Sequence, residues 1–244
     1  MAELAISIAM PAYNAGARLP GVLERIPADA WPQVRHVYIV NDGSRDDTGA
    51  IADALAGKYP QVRPVHFPVN RGYGAAVRAG LELCRKDERC AAAVCLHADG
   101  QYPPERIPAA LALMRAEKLD ILQGSRIASG TALAGGMPLY KYVANRALTF
   151  LENIAFGLRL TDYHSGMLFY SRRALDTLPF ADFSDSFEFD VEVIACARAW
   201  GLNVGEIPIP THYGGEVSHV PSVRYGCRVL AVVKKYLCGG YGRP

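Results

Sequence analysis

The sequence predicts an α/β fold, a mostly parallel central sheet flanked by helices. Short β-branched runs alternate with helix-like segments through the first half of the chain. Polar, glycine-bearing segments follow several of these runs, as strand ends leading into helices do in parallel sheets. With 244 residues, 50% of them hydrophobic, the chain is long enough to bury one sizeable core.

Residues 5–10 are apolar up to Pro11 and read as a buried strand. Residues 19–26 fit a helix, with Pro20 tolerated in the first turn. Residues 36–40 are a second strand, stopped by Asn41-Asp42-Gly43-Ser44, after which Asp47 or Thr48 caps a helix reaching about Tyr59. Residues 62–67 form a third strand, followed by Asn70-Arg71-Gly72-Tyr73-Gly74 and a helix to Lys86. A fourth strand, 91–96, ends at His97-Ala98-Asp99-Gly100-Gln101. A helical pattern over 105–117 then precedes a short strand over 120–123. The second half is less regular. A glycine-rich loop over 125–138 leads into a long helix over 139–156. A polar turn at Asp162-Tyr163-His164-Ser165-Gly166 precedes a strand over 167–170. A helix over 189–200, a strand over 203–209, a Gly-, His- and Tyr-bearing loop over 211–219 and a helix over 221–238 complete the reading. No internal repeat or low-complexity linker forces a boundary. The chain reads as one domain over 1–244, with a regular half to residue 126 and a less regular half beyond it.

The net charge is only +2 and charged residues make up 20%, which disfavours a nucleic-acid binder. The six cysteines form no CxxC pair and no His cluster has zinc spacing, as expected of reduced thiols. The first basic residue is Arg18, so the N-terminus does not read as a secretory signal. No uncharged apolar run reaches the roughly 18 residues of a membrane span. These features predict a cytoplasmic protein, with peripheral contact at the membrane's cytoplasmic face left open.

Four segments carry chemistry, and in an open α/β sheet they would converge on the rim at the strands' carboxyl ends. In an extended 97–101 segment, His97, Asp99 and Gln101 would point the same way and offer imidazole, carboxylate and amide oxygen to Mn²⁺ or Mg²⁺. The competing reading is a turn that uses Asp and Gly for geometry. Asp42 can accept hydrogen bonds from a base or ribose, or simply shape a turn. Around Arg71, Gly72 and Gly74 small residues permit close ligand approach, and Arg71 suits a phosphate. Because these glycines follow the third strand, a dinucleotide-dependent dehydrogenase is disfavoured. Arg126 follows a strand and suits a diphosphate.

In order, Pro11-Ala12-Tyr13-Asn14, Asn41-Asp42-Gly43-Ser44, Asn70-Arg71-Gly72-Tyr73-Gly74, Ala98-Asp99-Gly100-Gln101 and Gly124-Ser125-Arg126 resemble the family 2 inverting glycosyltransferases of GT-A fold. The likeness is nearest to the dolichyl- or polyprenyl-phosphate mannose and glucose synthases. It continues through Gly136-Met137-Pro138-Leu139-Tyr140-Lys141, Ala144-Asn145-Arg146, Asp162-Tyr163-His164-Ser165-Gly166 and Arg224-Tyr225-Gly226. It implies a Rossmann-like sheet binding a UDP- or GDP-sugar, with residues 1–126 as the nucleotide-sugar-binding half and residues 127–244 as the acceptor-binding half, which ends in an amphipathic helix. Pro11, Ala12, Tyr13 and Asn14 would lie near the base, Asp42 on the nucleoside, Asp99 and Gln101 on the metal, and Arg126 on donor phosphate. Ala98, Arg71, Gly72 and Gly74 complete the expected donor set. The chain departs from the pattern at Ala15, Asn41 and His97, where the family usually carries acidic residues.

The resemblance implies in-line displacement at the anomeric carbon with an oxocarbenium-like transition state. Asp99 with its metal and Arg126 would stabilise the leaving diphosphate. A phosphate acceptor needs no base, whereas a hydroxyl does; Asp162, His164, Glu188 and Asp190 are the candidates. Arg224, Arg228, Lys234 and Lys235 interleave with apolar residues in the last helix. That helix either lies in a membrane interface, favouring a polyprenyl phosphate acceptor, or packs on the core, favouring a soluble small molecule. A catalytically silent nucleotide-sugar binder is the third reading.

Overall fold

The computed structural model describes residues 5–210 and 222–242. Among these residues, seven strands form one sheet: β1 (Ile6–Ala12), β2 (Val34–Asp42), β3 (Val62–Phe67), β4 (Ala92–Cys95), β5 (Ile121–Ser125), β6 (Leu168–Ser171) and β7 (Val204–Pro208). Their order is β3-β2-β1-β4-β6-β5-β7. Every pairing is parallel except those of β6, which runs antiparallel between β4 and β5. The two halves of the chain therefore share one sheet, because β6 and β7 from the second half flank β5 from the first.

Among the described residues, eight helices cover the faces: α1 (Leu19–Glu24), α2 (Thr48–Lys58), α3 (Tyr73–Lys86), α4 (Ile107–Glu117), α5 (Leu139–Phe156), α6 (Arg172–Thr177), α7 (Phe189–Ala199) and α8 (Ser222–Leu237). Strand side chains alternate faces. Ile6, Ile8, Met10 and Ala12 of β1 enter the core beneath α1, α2 and α4, whereas Ala9 joins the core beneath α3, α6 and α7. On that second face α3 sits very close to the sheet: a Cβ at Gly80 would lie 2.7 Å from the Ala9 side chain.

The expected elements are present, with three physical corrections. First, β1 continues through Pro11 to Ala12. Pro11 is tolerated because pairing with β4 stops at Ala9, so no ladder partner on that side needs its missing N–H. Second, 97–101 is a turn, not an extended run. Gly100 has φ +80 and Asp99 Oδ1 accepts the Gln101 N–H at 3.0 Å, so the alternating arrangement expected of His97, Asp99 and Gln101 is lost. Third, the six-residue α6 follows β6 directly, its start capped by Ser171 Oγ accepting from Ala174 N at 3.1 Å. The loop over 211–219 and Pro221 lie outside the described residues.

Of the two arrangements expected for the last helix, the structure has the one packed on the core. Val229 and Val232 of α8 are core residues, with Tyr225, Val233 and Tyr236 packed against the same core. Arg228 and Lys235 are tied to Glu188 and Glu192 of the α7 region at 3.2 and 3.0 Å. Exposed apolar surface lies on both helices: Leu139, Tyr140, Phe150 and Ile154 of α5 are each 64–66% accessible, and Val223 and Leu237 of α8 are exposed as well.

Candidate functional site

A cleft of about 1160 Å³ opens at the carboxyl ends of β1, β2, β4 and β5. It is large enough for a nucleotide sugar together with a second head group. All four sequence segments reach it, as do residues of α5, α7 and α8.

Its floor is held by cross-loop hydrogen bonds. Asn14 N donates to Ser44 Oγ at 3.0 Å, Arg45 N donates to Asn14 Oδ1 at 2.9 Å, and Ala15 N donates to Thr48 Oγ1 at 2.9 Å. Ala15 is packed in the core, and the carboxylate near this turn belongs to Asp46, which accepts from Gly16 N at 3.2 Å. Asn41 is likewise structural: its Oδ1 accepts from Ser44 N at 3.1 Å and its amide lies 3.2 Å from His66 Nδ1. Pro11, Ala12, Tyr13 and Asn14 all line the cleft.

Asp42 lines the cleft as well, but both its oxygens already accept backbone N–H groups, from Arg71 at 2.7 Å and Gly72 at 3.0 Å. It therefore sets the position of the 70–74 loop. Arg71, stacked over Phe67 at 4.7 Å, and Gly72 border the cleft. Gly74 does not. Its N–H donates to Asp185 O at 2.8 Å, and a Cβ there would collide with the Ser184 and Ser186 carbonyls. The expected donor contact at Gly74 is thus replaced by chain packing. Gly74→Ala should destabilise the protein by about 1–3 kcal/mol, read as a lower melting temperature; an unchanged melt would show that the 184–186 segment yields freely.

Ala98, Asp99, Gln101 and His97 also line the cleft. His97 Nε2 lies 2.9 Å from Tyr73 Oη, and Tyr73 donates its hydrogen to Asp190 Oδ2 at 2.8 Å. The contact to His97 then has Nε2–H donating, which leaves Nδ1 as a bare acceptor. Burial drives the His97 pKa down, and Arg126 adds to that against the opposing pull of Asp99; the net effect favours the neutral ring. Burial also pushes Asp190 up to about 7, against the Tyr73 hydrogen bond, and its Oδ1 has no hydrogen-bond partner. Tyr73 joins the site without having been a candidate; its place in the Asn70–Gly74 motif is the signal that could have found it.

Arg126 faces the cleft and is oriented from behind. Its Nε donates to Asp162 Oδ2 at 3.1 Å and its NH2 nitrogen to His164 O at 2.6 Å. Asp162 is fully buried and outside the cleft lining, and it also accepts from Asn145 Nδ2 at 2.8 Å and His164 N at 2.9 Å. Burial alone would raise its pKa, but Arg126, His164 and these donors hold it below the usual carboxylate range. Such a group is a poor base, so the expected catalytic role of Asp162 is corrected to that of holding Arg126. Glu188 is also removed from the base candidates. Its oxygens bind Ser184 Oγ at 2.7 Å and Arg228 at 3.2 Å.

His164 lines the cleft between two residues that are not among the sequence candidates. Its Nδ1 lies 3.0 Å from Tyr225 Oη, and its Nε2 lies 3.3 Å from Glu152 Oε2. Glu152 has a detectable signal: Asn145, Thr149, Glu152 and Phe156 share one buried helical stripe of α5.

Comparison with known proteins decides the class. Glycosyl transferase family 2 matches residues 7–178. The chain belongs to glycosyl transferase family 2. This glycosyltransferase is 30% identical over 225 residues to the UDP-N-acetylglucosamine–dolichyl-phosphate N-acetylglucosaminyltransferase of Methanococcus voltae, covering 87% of this chain and 88% of the relative. It is 31% identical over 204 residues to the undecaprenyl-phosphate mannosyltransferase of Micrococcus luteus, covering 82% of this chain and 80% of the relative. Among solved structures, glucosyl-3-phosphoglycerate synthase from Mycobacterium tuberculosis in complex with Mn²⁺, UDP and phosphoglyceric acid superposes with a TM-score of 0.69 at 20% identity, over 98% of this chain and 79% of that one. The shared architecture is the GT-A fold. Among the described residues, no helix is long and apolar enough to cross a membrane.

Proposed function

We propose that this glycosyltransferase moves a hexose, with inversion, from a UDP- or GDP-sugar to a polyprenyl phosphate, assisted by Mn²⁺ or Mg²⁺. The observation that carries this reading is the shared cleft. Its walls combine the donor-type loops around Asp42, Arg71, Asp99 and Arg126 with Lys141, His164 and Tyr225 from the second half. The relatives named for lipid-phosphate acceptors support the choice of acceptor.

Although the 97–101 turn removes the expected alternation, His97, Asp99 and Gln101 all still line the cleft, and their oxygens and imidazole suit Mn²⁺ better than the harder Mg²⁺. Asp99 offers a carboxylate, Gln101 an amide, and the His97 tautomer leaves Nδ1 without a hydrogen. Among the described residues no group of three or more His, Cys, Asp or Glu side chains could hold a metal by itself, so diphosphate oxygens would complete the shell. A bound ion would supply charge stabilisation to the leaving diphosphate. Arg126, locked by Asp162, brings a fixed positive charge to the same cleft at no reorganisation during reaction. The acceptor phosphate is its own nucleophile, so no side chain has to remove a proton from it. The exposed apolar face of α5 supports peripheral contact of a cytoplasmic enzyme with the membrane surface that carries such an acceptor.

A soluble hydroxyl acceptor is the second reading, favoured by Asp190, a carboxyl in the cleft with its pKa at about 7 and one free oxygen. Incubation with radiolabelled UDP- and GDP-sugars separates the two readings. Organic-extractable label that requires polyprenyl phosphate supports the first, and water-soluble product alone supports the second. Binding of a donor with neither transfer nor hydrolysis would point to the silent binder.

Asp190 also makes a thermodynamic prediction. Its folded-state pKa lies above its unfolded value, so between about pH 4 and 7 the folded state holds a proton that the unfolded state has lost. Asp190 should therefore make stability fall as pH rises through that window. Asp190→Asn should remove this component, so that variant and wild-type melting temperatures change relative to each other between pH 4.5 and pH 7.5, in the variant's favour at the higher pH. Parallel curves would show that Asp190 is not buried as a neutral acid.

A further inference from the structure

We propose that Glu152, His164 and Tyr225 form a relay that fixes the Tyr225 hydroxyl as a hydrogen-bond donor to the acceptor's phosphate; the inference rests on the polyprenyl-phosphate reading above. Glu152 of α5 is fully buried, and neither of its oxygens has a hydrogen-bond partner. A buried carboxylate without compensation is strongly unfavourable, and the group facing it is His164 Nε2 at 3.3 Å. On the far side of the ring, Nδ1 is 3.0 Å from Tyr225 Oη, with the two rings edge to face at 82°. His164 and Tyr225 line the cleft, whereas Glu152 does not.

These positions assign roles to the hydrogens. Glu152 Oε2 and His164 Nε2, both without a hydrogen-bond partner among the described residues, face one another at 3.3 Å. In the tautomer that places the ring hydrogen on Nδ1, Nδ1–H donates to the Tyr225 oxygen. The phenol hydrogen then cannot point back at His164 and is available to an anion in the cleft. Tyr225 cannot serve as a base, because burial, reinforced by Glu152, Asp190 and Asp162, pushes its pKa well above that of a free phenol. Towards an anion in the cleft it acts as a donor.

Placement argues for the acceptor side. The donor-type loops come from the ends of β1, β2, β4 and β5, whereas His164 and Tyr225 belong to the wall built with α5 and α8. Lys141 of α5 lines the same wall, and the exposed apolar residues of α5 lie on the helix that supplies it. A phosphate carried on a lipid would approach over this surface and meet Lys141 and Tyr225. Arg126, which donates to His164 O, ties the wall to the group assigned to the leaving diphosphate.

The test uses the full chain with polyprenyl phosphate, measuring both binding and transfer, for wild type, Tyr225→Phe, Glu152→Gln and the double variant. Tyr225→Phe should raise the KM for polyprenyl phosphate about 10- to 100-fold while donor KM and kcat change less than about threefold. Glu152→Gln should act in the same direction, and the double variant should be no worse than the weaker single, because the residues act in series. An unchanged acceptor KM, an equal rise in donor KM, or effects that multiply would overturn the relay. Should Glu152→Gln not fold, the cycle of Tyr225→Phe with His164→Asn makes the same measurement. Wild type that binds the prenyl phosphate through Tyr225 but does not glycosylate it removes the transfer reading and keeps the relay. Transfer that ignores Tyr225 removes the relay alone, and absence of both binding and transfer removes both.

Discussion

Asp99→Ala should lower sugar transfer by about 10³-fold or more, and should abolish the metal-dependent part of donor binding. Asp99 is the carboxylate of the cleft's metal-type donor set, and no third acidic, His or Cys side chain stands ready among the described residues to replace it. Its local structural role is small. Oδ1 accepts one backbone hydrogen bond, from Gln101 N at 3.0 Å, in a turn whose conformation Gly100 already accommodates. The loss of that bond is worth about 1 kcal/mol, so the variant should fold. Thermal shifts with UDP- and GDP-sugars, each with Mn²⁺, Mg²⁺ or chelator, report the binding half of the prediction. Wild type should show a shift that requires metal, and the variant should show none. A variant that keeps both its metal-dependent shift and its activity would remove Asp99 from the site.

Arg126→Ala should damage both stability and activity, for separable reasons. The guanidinium binds the fully buried Asp162 at 3.1 Å, so its removal leaves a buried carboxylate short of its counter-charge. Breaking such a pair from one side costs about 3–5 kcal/mol. It also removes a cation of the cleft that the proposed function places on the donor diphosphate, worth about 10²-fold or more in rate. The double variant Arg126→Met with Asp162→Asn separates the two. Removing both charges should restore most of the melting temperature, because Asn145 Nδ2 and His164 N, which now donate to Asp162 Oδ1, can donate equally to an amide oxygen in its place. Activity should remain low. Recovery of transfer along with stability would show that Arg126 serves only to hold the fold.

The relation of sequence to site differs between the two walls of the cleft. Pro11, Asp42, Arg71, Asp99 and Arg126 are all legible, because each follows or ends a strand with a strong apolar pattern, and parallel strands bring their carboxyl ends to one rim. Glu152, Tyr225 and Tyr73 are visible only as members of a helical stripe or a motif, and their place in the site is not legible. Each sits on a helix, and the direction it faces is set by how that helix packs rather than by the strand pattern. Asp162 is legible as a functional type but not in its role, since only the fold brings Arg126 and Asn145 onto its two oxygens.

The chain's own pattern of apolar runs and glycine-bearing loops determined the α/β class, the succession of the first five strands and the polar loops that follow them. Those features follow from backbone propensity and from side-chain alternation, both local along the chain. Tertiary structure alone decided that β6 enters antiparallel between β4 and β5, that α8 packs on the core while one face of α5 stays exposed, and that Glu152, His164 and Tyr225 meet. These outcomes depend on contacts between residues far apart in sequence. Which buried charge finds which partner is settled only when the helices are laid against the sheet.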